Sequence, residues 1–128
     1  MGIKRNLVGW FELPVTDMAR ATKFYESVFQ IAIEHQKMGV LEMGWFPSGK
    51  DQTGASGSLV LHSEFYRPSA THGALVYFTT GDVSQTLERV VQAGGKVLQD
   101  KKAIGEGYGF MGLFLDSEGN RVALHSLA

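Results

Sequence analysis

Among the residues able to do chemistry, Glu12 has the most unusual setting. It lies in the run LVGWFELPV, Leu7 to Val15, where nearly every neighbour is apolar. A carboxylate in such company must be ion-paired, hydrogen-bonded or protonated. It is therefore either one end of a structural salt bridge or a cavity-lining group, serving as a ligand contact or general base. Trp10 stands two residues earlier, so both side chains leave the same face of an extended strand. Of the four histidines, His35, His62 and His72 read as surface or loop-edge residues. His125 reads as a structural residue of the last strand-like stretch. A metal centre would need two or three converging His or carboxylate groups. Only Glu12, His125 and either His62 or His72 offer such a set.

Several chemistries lack their residues. There is no cysteine, which removes disulfides, thiolate metal sites and a cysteine nucleophile. No phosphate-binding loop or dinucleotide fingerprint occurs. Gly105-Glu106-Gly107-Tyr108-Gly109 is glycine-rich but precedes a strand pattern, as a bulged entry would. No nucleophile elbow marks a serine hydrolase. The aromatics Trp10, Trp45, Phe46, Tyr77, Tyr108, Phe110 and Phe114 all fall in strand-like stretches. In a curled sheet about half of them would pack under helices and half would face a cavity, where they stack on flat or apolar ligands.

The elements that position these groups follow from periodicity. The spacing predicts a strand over Leu7–Val15, with Pro14 near its end where a missing N–H is tolerated. A helix over Met18–Phe29 buries Met18, Ala21, Phe24, Tyr25 and Val28, with Thr16 or Asp17 as its cap. Three strands follow, at Ile31–Lys37, Val40–Phe46 and Ser56–His62, the last two joined by the loop PSGKDQTGASG. The order then repeats after a connector from Glu64 to Thr71. A strand spans Ala74–Thr79. A helix spans Val83–Ala93, capped by Asp82 with Gln85 in capping-box position and stopped by Gly94-Gly95. Its apolar stripe is Val83, Leu87, Val90 and Val91. Strands at Lys96–Lys101, Tyr108–Leu115 and Arg121–Ser126 complete the chain, the last two joined by the turn Asp116 to Asn120. The helix-opening Asp17 and Asp82 lie about 65 residues apart, half the chain, as in a tandem duplication.

The fold class is thus α+β: two tandem βαβββ units, 1–66 and 72–128. The 128 residues suit one compact domain, and a hydrophobic content of 44% supplies its core. A net charge of -1, with Lys and Arg scattered, argues against nucleic acid or an anionic membrane as partner. No apolar run approaches the roughly 20 residues of a membrane helix, and none resembling a secretion signal precedes Glu12. The expectation is a soluble, cytoplasmic protein.

Three stretches, in this order and spacing, resemble the vicinal oxygen chelate superfamily, which includes glyoxalases, bleomycin resistance proteins and dioxygenases. They are Phe11–Met18 with Lys23–Phe29, Gly81–Val83 with Ala93–Val97, and Phe114–Val122. The resemblance implies that the two units form a curled mixed sheet around a cavity, as paired half-barrels, and further implies a homodimer and, in several members, a divalent metal on His, Gln and Glu ligands. Carried over position by position, those ligands would stand at Trp10, within Gly57–Leu61, at Leu75 or Val76, and at Ala123. None is a good metal ligand, so neither a metal nor another cofactor is expected. The resemblance makes Trp10 a cavity residue, and strand alternation from Leu75 adds Tyr77. The candidate site is Trp10, Glu12, Tyr77, Phe110 and His125, with Glu12 as the candidate catalytic residue. The function expected is binding of a small, partly apolar molecule. The alternatives are a lyase, isomerase or dioxygenase-type enzyme with a displaced metal site or with Glu12 as base, and a non-catalytic interaction module.

Overall fold

The computed structural model describes residues 6–49 and 53–128. The first unit runs β1 (Trp10–Val15), α1 (Met18–Phe29), β2 (Glu34–Met38), β3 (Leu41–Trp45) and β4 (Ser56–Leu61). The second runs β5 (Tyr77–Thr79), α2 (Val83–Gln92), β6 (Lys96–Ala103), β7 (Phe110–Leu115) and β8 (Arg121–Ser126). Each unit makes a four-stranded mixed sheet, ordered β1-β4-β3-β2 and β5-β8-β7-β6. The first strand of each pairs parallel with the fourth, and the remaining pairs are antiparallel. The repeat extends to the register. Glu12 pairs with Ser58 and Tyr77 with Ala123, and both partners shift by the offset that separates Asp17 from Asp82. The two sheets are not joined into one closed sheet. β1 and β5 are each an edge strand, and a gap lies between them.

Both helices begin as their caps predict. The Asp17 carboxylate accepts the Arg20 N–H at 3.0 Å, and that of Asp82 accepts the Ser84 N–H at 3.0 Å. α1 ends where Gln30 turns left-handed at φ 55°. That exit delays the next strand to Glu34, later than the Ile31 start read from hydropathy, because the Ile33 N–H bonds the Glu26 carboxylate at 2.8 Å. β1 begins at Trp10 rather than Leu7, and Leu7 and Val8 are exposed. β5 has only three residues, and Ala74–Val76 precede it. β7 begins at Phe110 because Gly107 and Gly109 both take positive φ. Val91, expected in the buried stripe of α2, is exposed. Thr86 is buried in the stripe instead, its hydroxyl 2.6 Å from that of Thr80. Of the loop between β3 and β4, the part at 50–52 lies outside the described residues.

One core serves both units. Phe24 and Tyr25 from α1 reach across to Phe114 and Phe78, with ring centroids 6.1 and 6.0 Å apart. Val83, Leu87 and Val90 from α2 join the same cluster. A buried polar network binds the units beside it. The Tyr25 hydroxyl donates to Asp116 at 2.6 Å, and the Asn120 amide donates to Pro14 O at 2.7 Å and to Asp116 at 3.0 Å. Burial, then the Asp116 charge, push the Tyr25 phenol well above its usual pKa.

Glu118, in the β7–β8 turn of the second unit, caps the helix of the first. One carboxylate oxygen accepts the Thr16 and Asp17 N–H groups at 2.8 and 2.9 Å. Arg20 closes the contact from Nε and Nη2 at 2.7 and 2.9 Å. Burial pushes the Glu118 carboxyl up, but bonds from Arg20, the two backbone N–H groups and Ser117 outweigh it and bring the pKa down to about 2. This contact and the shared aromatic core set how the β1 and β5 edges face each other.

Candidate binding cleft between the edge strands

The gap between β1 and β5 opens into a cleft of about 870 Å³. That is within the size range of small-molecule sites. Its floor is aromatic. Phe11 from β1, Phe29 from the end of α1, Phe46 beyond β3 and Phe78 from β5 all line it. They form one cluster, with Phe29 and Phe78 centroids 4.8 Å apart and Phe46 and Phe78 5.5 Å apart. Gly57 on β4 makes room for Phe11, because a Cβ there would collide with the Phe11 ring. Trp10 and Tyr77 stand at the rim, 44% and 52% exposed. Trp10 is braced edge-on by Trp45, with centroids 6.0 Å apart.

Glu12 lines the cleft beside Trp10. It is exposed and held by neutral donors. The Tyr66 hydroxyl donates to Oε1 at 2.6 Å, and Trp10 Nε1 donates to Oε2 at 3.4 Å. The hydrogen bond to Glu12 is the main reason the Tyr66 phenol pKa is raised. The two ion pairs among the described residues are Arg20–Glu118 and Lys101–Asp82, so neither involves Glu12.

Three of the five expected site residues thus meet at one cleft: Trp10, Glu12 and Tyr77. The other two lie elsewhere. Phe110 is on the α2 side of β7, its ring 4.5 Å from Lys101 Nζ and its strand partner Ser126 bonded to the Val83 N–H. His125 pairs with Thr79 across β8 and β5, its Nε2 2.7 Å from the Tyr108 carbonyl. The other histidines have local partners. His62 Nδ1 accepts the Glu64 and Phe65 N–H groups, His72 sits 2.7 Å from the Thr71 hydroxyl, and His35 lies 3.4 Å from Thr22. Sequence reasoning missed the phenylalanine floor and Tyr66. Phe46 is one of seven strand aromatics of which about half are expected to face a cavity, Phe11, Phe29 and Phe78 carry no such expectation, and nothing in the connector's composition ties Tyr66 to a carboxylate 54 positions away.

The positions that the resemblance assigns to a divalent metal carry Trp10, the run Gly57–Leu61 on β4, Leu75 and Val76 ahead of β5, and Ala123 on β8. Ser58 and Ala123 are fully buried, and the Ser58 hydroxyl donates to the Leu59 carbonyl at 2.7 Å. No group of three or more His, Asp or Glu side chains converges among the described residues. These side chains do not fit a Zn²⁺ or Fe²⁺ centre, which needs several imidazole or carboxylate donors.

Known proteins resemble this chain in sequence or in fold. A glyoxylase-like domain-containing protein of Didymella fabae is 29% identical over 121 residues, 91% of each chain. Glyoxalase I from Zea mays superposes with a TM-score of 0.70 at 20% identity, over 92% of this chain and 45% of its own. The present chain therefore spans about half the length of the maize enzyme. TnmS3, an antibiotic binding protein from Streptomyces sp. CB03234, superposes with a TM-score of 0.63 at 23% identity over 98% of both chains. The model of the glyoxalase/bleomycin resistance protein/dioxygenase superfamily matches residues 7–124, nearly the whole chain, and the protein belongs to that superfamily.

Proposed function

We propose that the protein binds a small, partly apolar molecule in the cleft between β1 and β5, without the divalent metal used by several members of its superfamily. The supporting observation is the cleft itself: a floor of four phenylalanines with Trp10 and Tyr77 standing half-exposed above it. Large aromatic side chains left open to solvent in a concavity are the usual lining of a ligand site. The antibiotic-binding role of TnmS3 is that protein's own, but it makes the same use of this fold a natural reading here.

The test is a titration of tryptophan emission with planar aromatic compounds on chelator-treated protein. Saturable quenching is expected, and it should fall at least about tenfold in affinity in Trp10→Ala and in Tyr77→Ala, the loss expected when a stacking wall is removed. An emission that no compound moves would end the proposal. Turnover of a bound compound that collapses in Glu12→Gln would instead make the protein a lyase or isomerase with Glu12 as base. Among the described residues no helix is long and apolar enough to cross a membrane. A cytoplasmic homodimer completes the proposal, to be checked by sedimentation and by fractionation of cells.

A further inference from the structure

We infer that the cleft selects a planar aromatic ligand carrying a protonated nitrogen, with Glu12 as its counter-charge and Tyr66 as the residue that positions Glu12. This rests on the cleft being a ligand site and adds the chemical class that the site takes.

Four observations carry it. First, Glu12 is the only charged residue among the described residues that line the cleft, and its other polar lining is neutral hydroxyl groups such as Thr53, Ser56 and Thr79. Second, no ion pair among the described residues involves it. Arg67 and Arg121 line a smaller neighbouring cleft of about 180 Å³, which Glu12 also borders, yet neither forms an ion pair with it. Third, the carboxylate is held in place. One bond comes from Tyr66 and a longer one from Trp10, one to each oxygen. A carboxylate has about four acceptor positions, so each oxygen keeps capacity for a further donor. Fourth, Trp10 stands beside this carboxylate at the rim, and an indole face attracts a cation.

The energetics follow from desolvation. A flat ligand that covers the cleft removes water from Glu12. A neutral ligand offers that carboxylate at most an uncharged donor, which compensates its lost hydration only in part, and an anion adds repulsion. A protonated nitrogen replaces the lost water with a charge-assisted hydrogen bond while the ring system lies over the phenylalanines. Tyr66 comes from the connector between the units, so the segment that joins the two repeats also orients the charged side chain that the described residues bring to the cleft.

Three matched tricycles test this by fluorescence: 9-aminoacridine as cation, acridone as neutral compound and acridine-9-carboxylate as anion. The cation should bind about tenfold tighter than acridone, and the anion weakest, with the preference shrinking as salt is raised. Glu12→Gln should bring the three within about threefold of one another. Tyr66→Phe should weaken the cation by about threefold with a smaller effect on acridone, which separates positioning from general damage to the fold. Glu12 is exposed, so both variants are expected to fold, and a thermal scan verifies it. Equal binding of all three, or a cation preference that survives Glu12→Gln, overturns this inference and leaves the cleft as a ligand site. Binding of none of the three in a manner sensitive to Trp10→Ala overturns both.

Discussion

Replacing Glu118 by glutamine keeps the shape of the contact between the units and removes its charge. In the native protein the carboxylate accepts both N–H groups at the start of α1 and both nitrogens of the Arg20 fork. A glutamine can offer its oxygen to the helix start, but its amide then faces the guanidinium donor to donor. The magnitude comes from the depressed pKa of Glu118. Its pKa falls from 4.5 to about 2, and every tenfold change in proton affinity corresponds to about 1.4 kcal/mol, so the upper bound is about 3 kcal/mol. The Glu118 side chain is covered but that of Arg20 is 52% exposed, and solvent screening trims the figure to about 2 kcal/mol. With an unfolding entropy of about 2.1 cal/mol/K per residue, a loss of this size in a chain of 128 residues lowers Tm by about 7 °C. The pH dependence has a definite sign. A carboxyl with a depressed folded pKa stabilises the protein above its unfolded pKa, and that contribution disappears as pH falls through the folded value. The gap between native and Glu118→Gln protein should thus be full near neutrality and shrink between about pH 5 and pH 2. Paired thermal scans across that range measure it, and the difference removes the effect of other titrating groups. A gap under about 1 °C at neutral pH, or one that stays constant as pH falls, would refute the claim that an ionised Glu118 ties the second unit to the first helix.

Two further perturbations probe the same architecture. Tyr25→Phe deletes the hydroxyl that donates to Asp116 at the centre of the molecule; since the Asn120 amide still serves that oxygen, a loss of about 2 kcal/mol is expected, read from the urea midpoint at unchanged slope. Gly57→Ala places a methyl group against the Phe11 ring and carbonyl, so a cost of about 1–3 kcal/mol by overpacking is expected together with weaker ligand binding, because Phe11 is part of the cleft floor.

Much of the fold was legible in the chain because its signals are local. The stripe Met18, Ala21, Phe24, Tyr25 and Val28 predicts α1 with both ends in place, and Asp17 and Asp82 cap the helices they precede. Strand ends were less legible. Leu7 and Val8 are as apolar as a strand needs, but they lie exposed and outside the β1–β4 ladder. Val91 continues the hydropathy of α2 on a surface that nothing described covers. Glycine conformation also moved a boundary, since Gly107 and Gly109 at positive φ hold Tyr108 out of β7.

The candidate site divides the same way. The superfamily resemblance places Trp10 at a cavity, Glu12 joins it by strand alternation, and Tyr77 follows by alternation from the resemblance's position at Leu75; the structure puts the three along one cleft, with Tyr77 at the place of Glu12 one unit later. Phe110 lies on the α2 side of β7 and His125 bonds the Tyr108 carbonyl, outcomes set by strand register and by neighbours far along the chain. The sequence by itself determined the element order, the internal repeat and the helix caps, because each depends on near neighbours or on counting. Only the tertiary structure decided that Glu118 caps the other unit's helix, that Tyr66 holds Glu12, and that four phenylalanines meet beneath a gap between two edge strands. Those contacts join residues far apart in the chain, and no local pattern encodes which distant partner a side chain will meet.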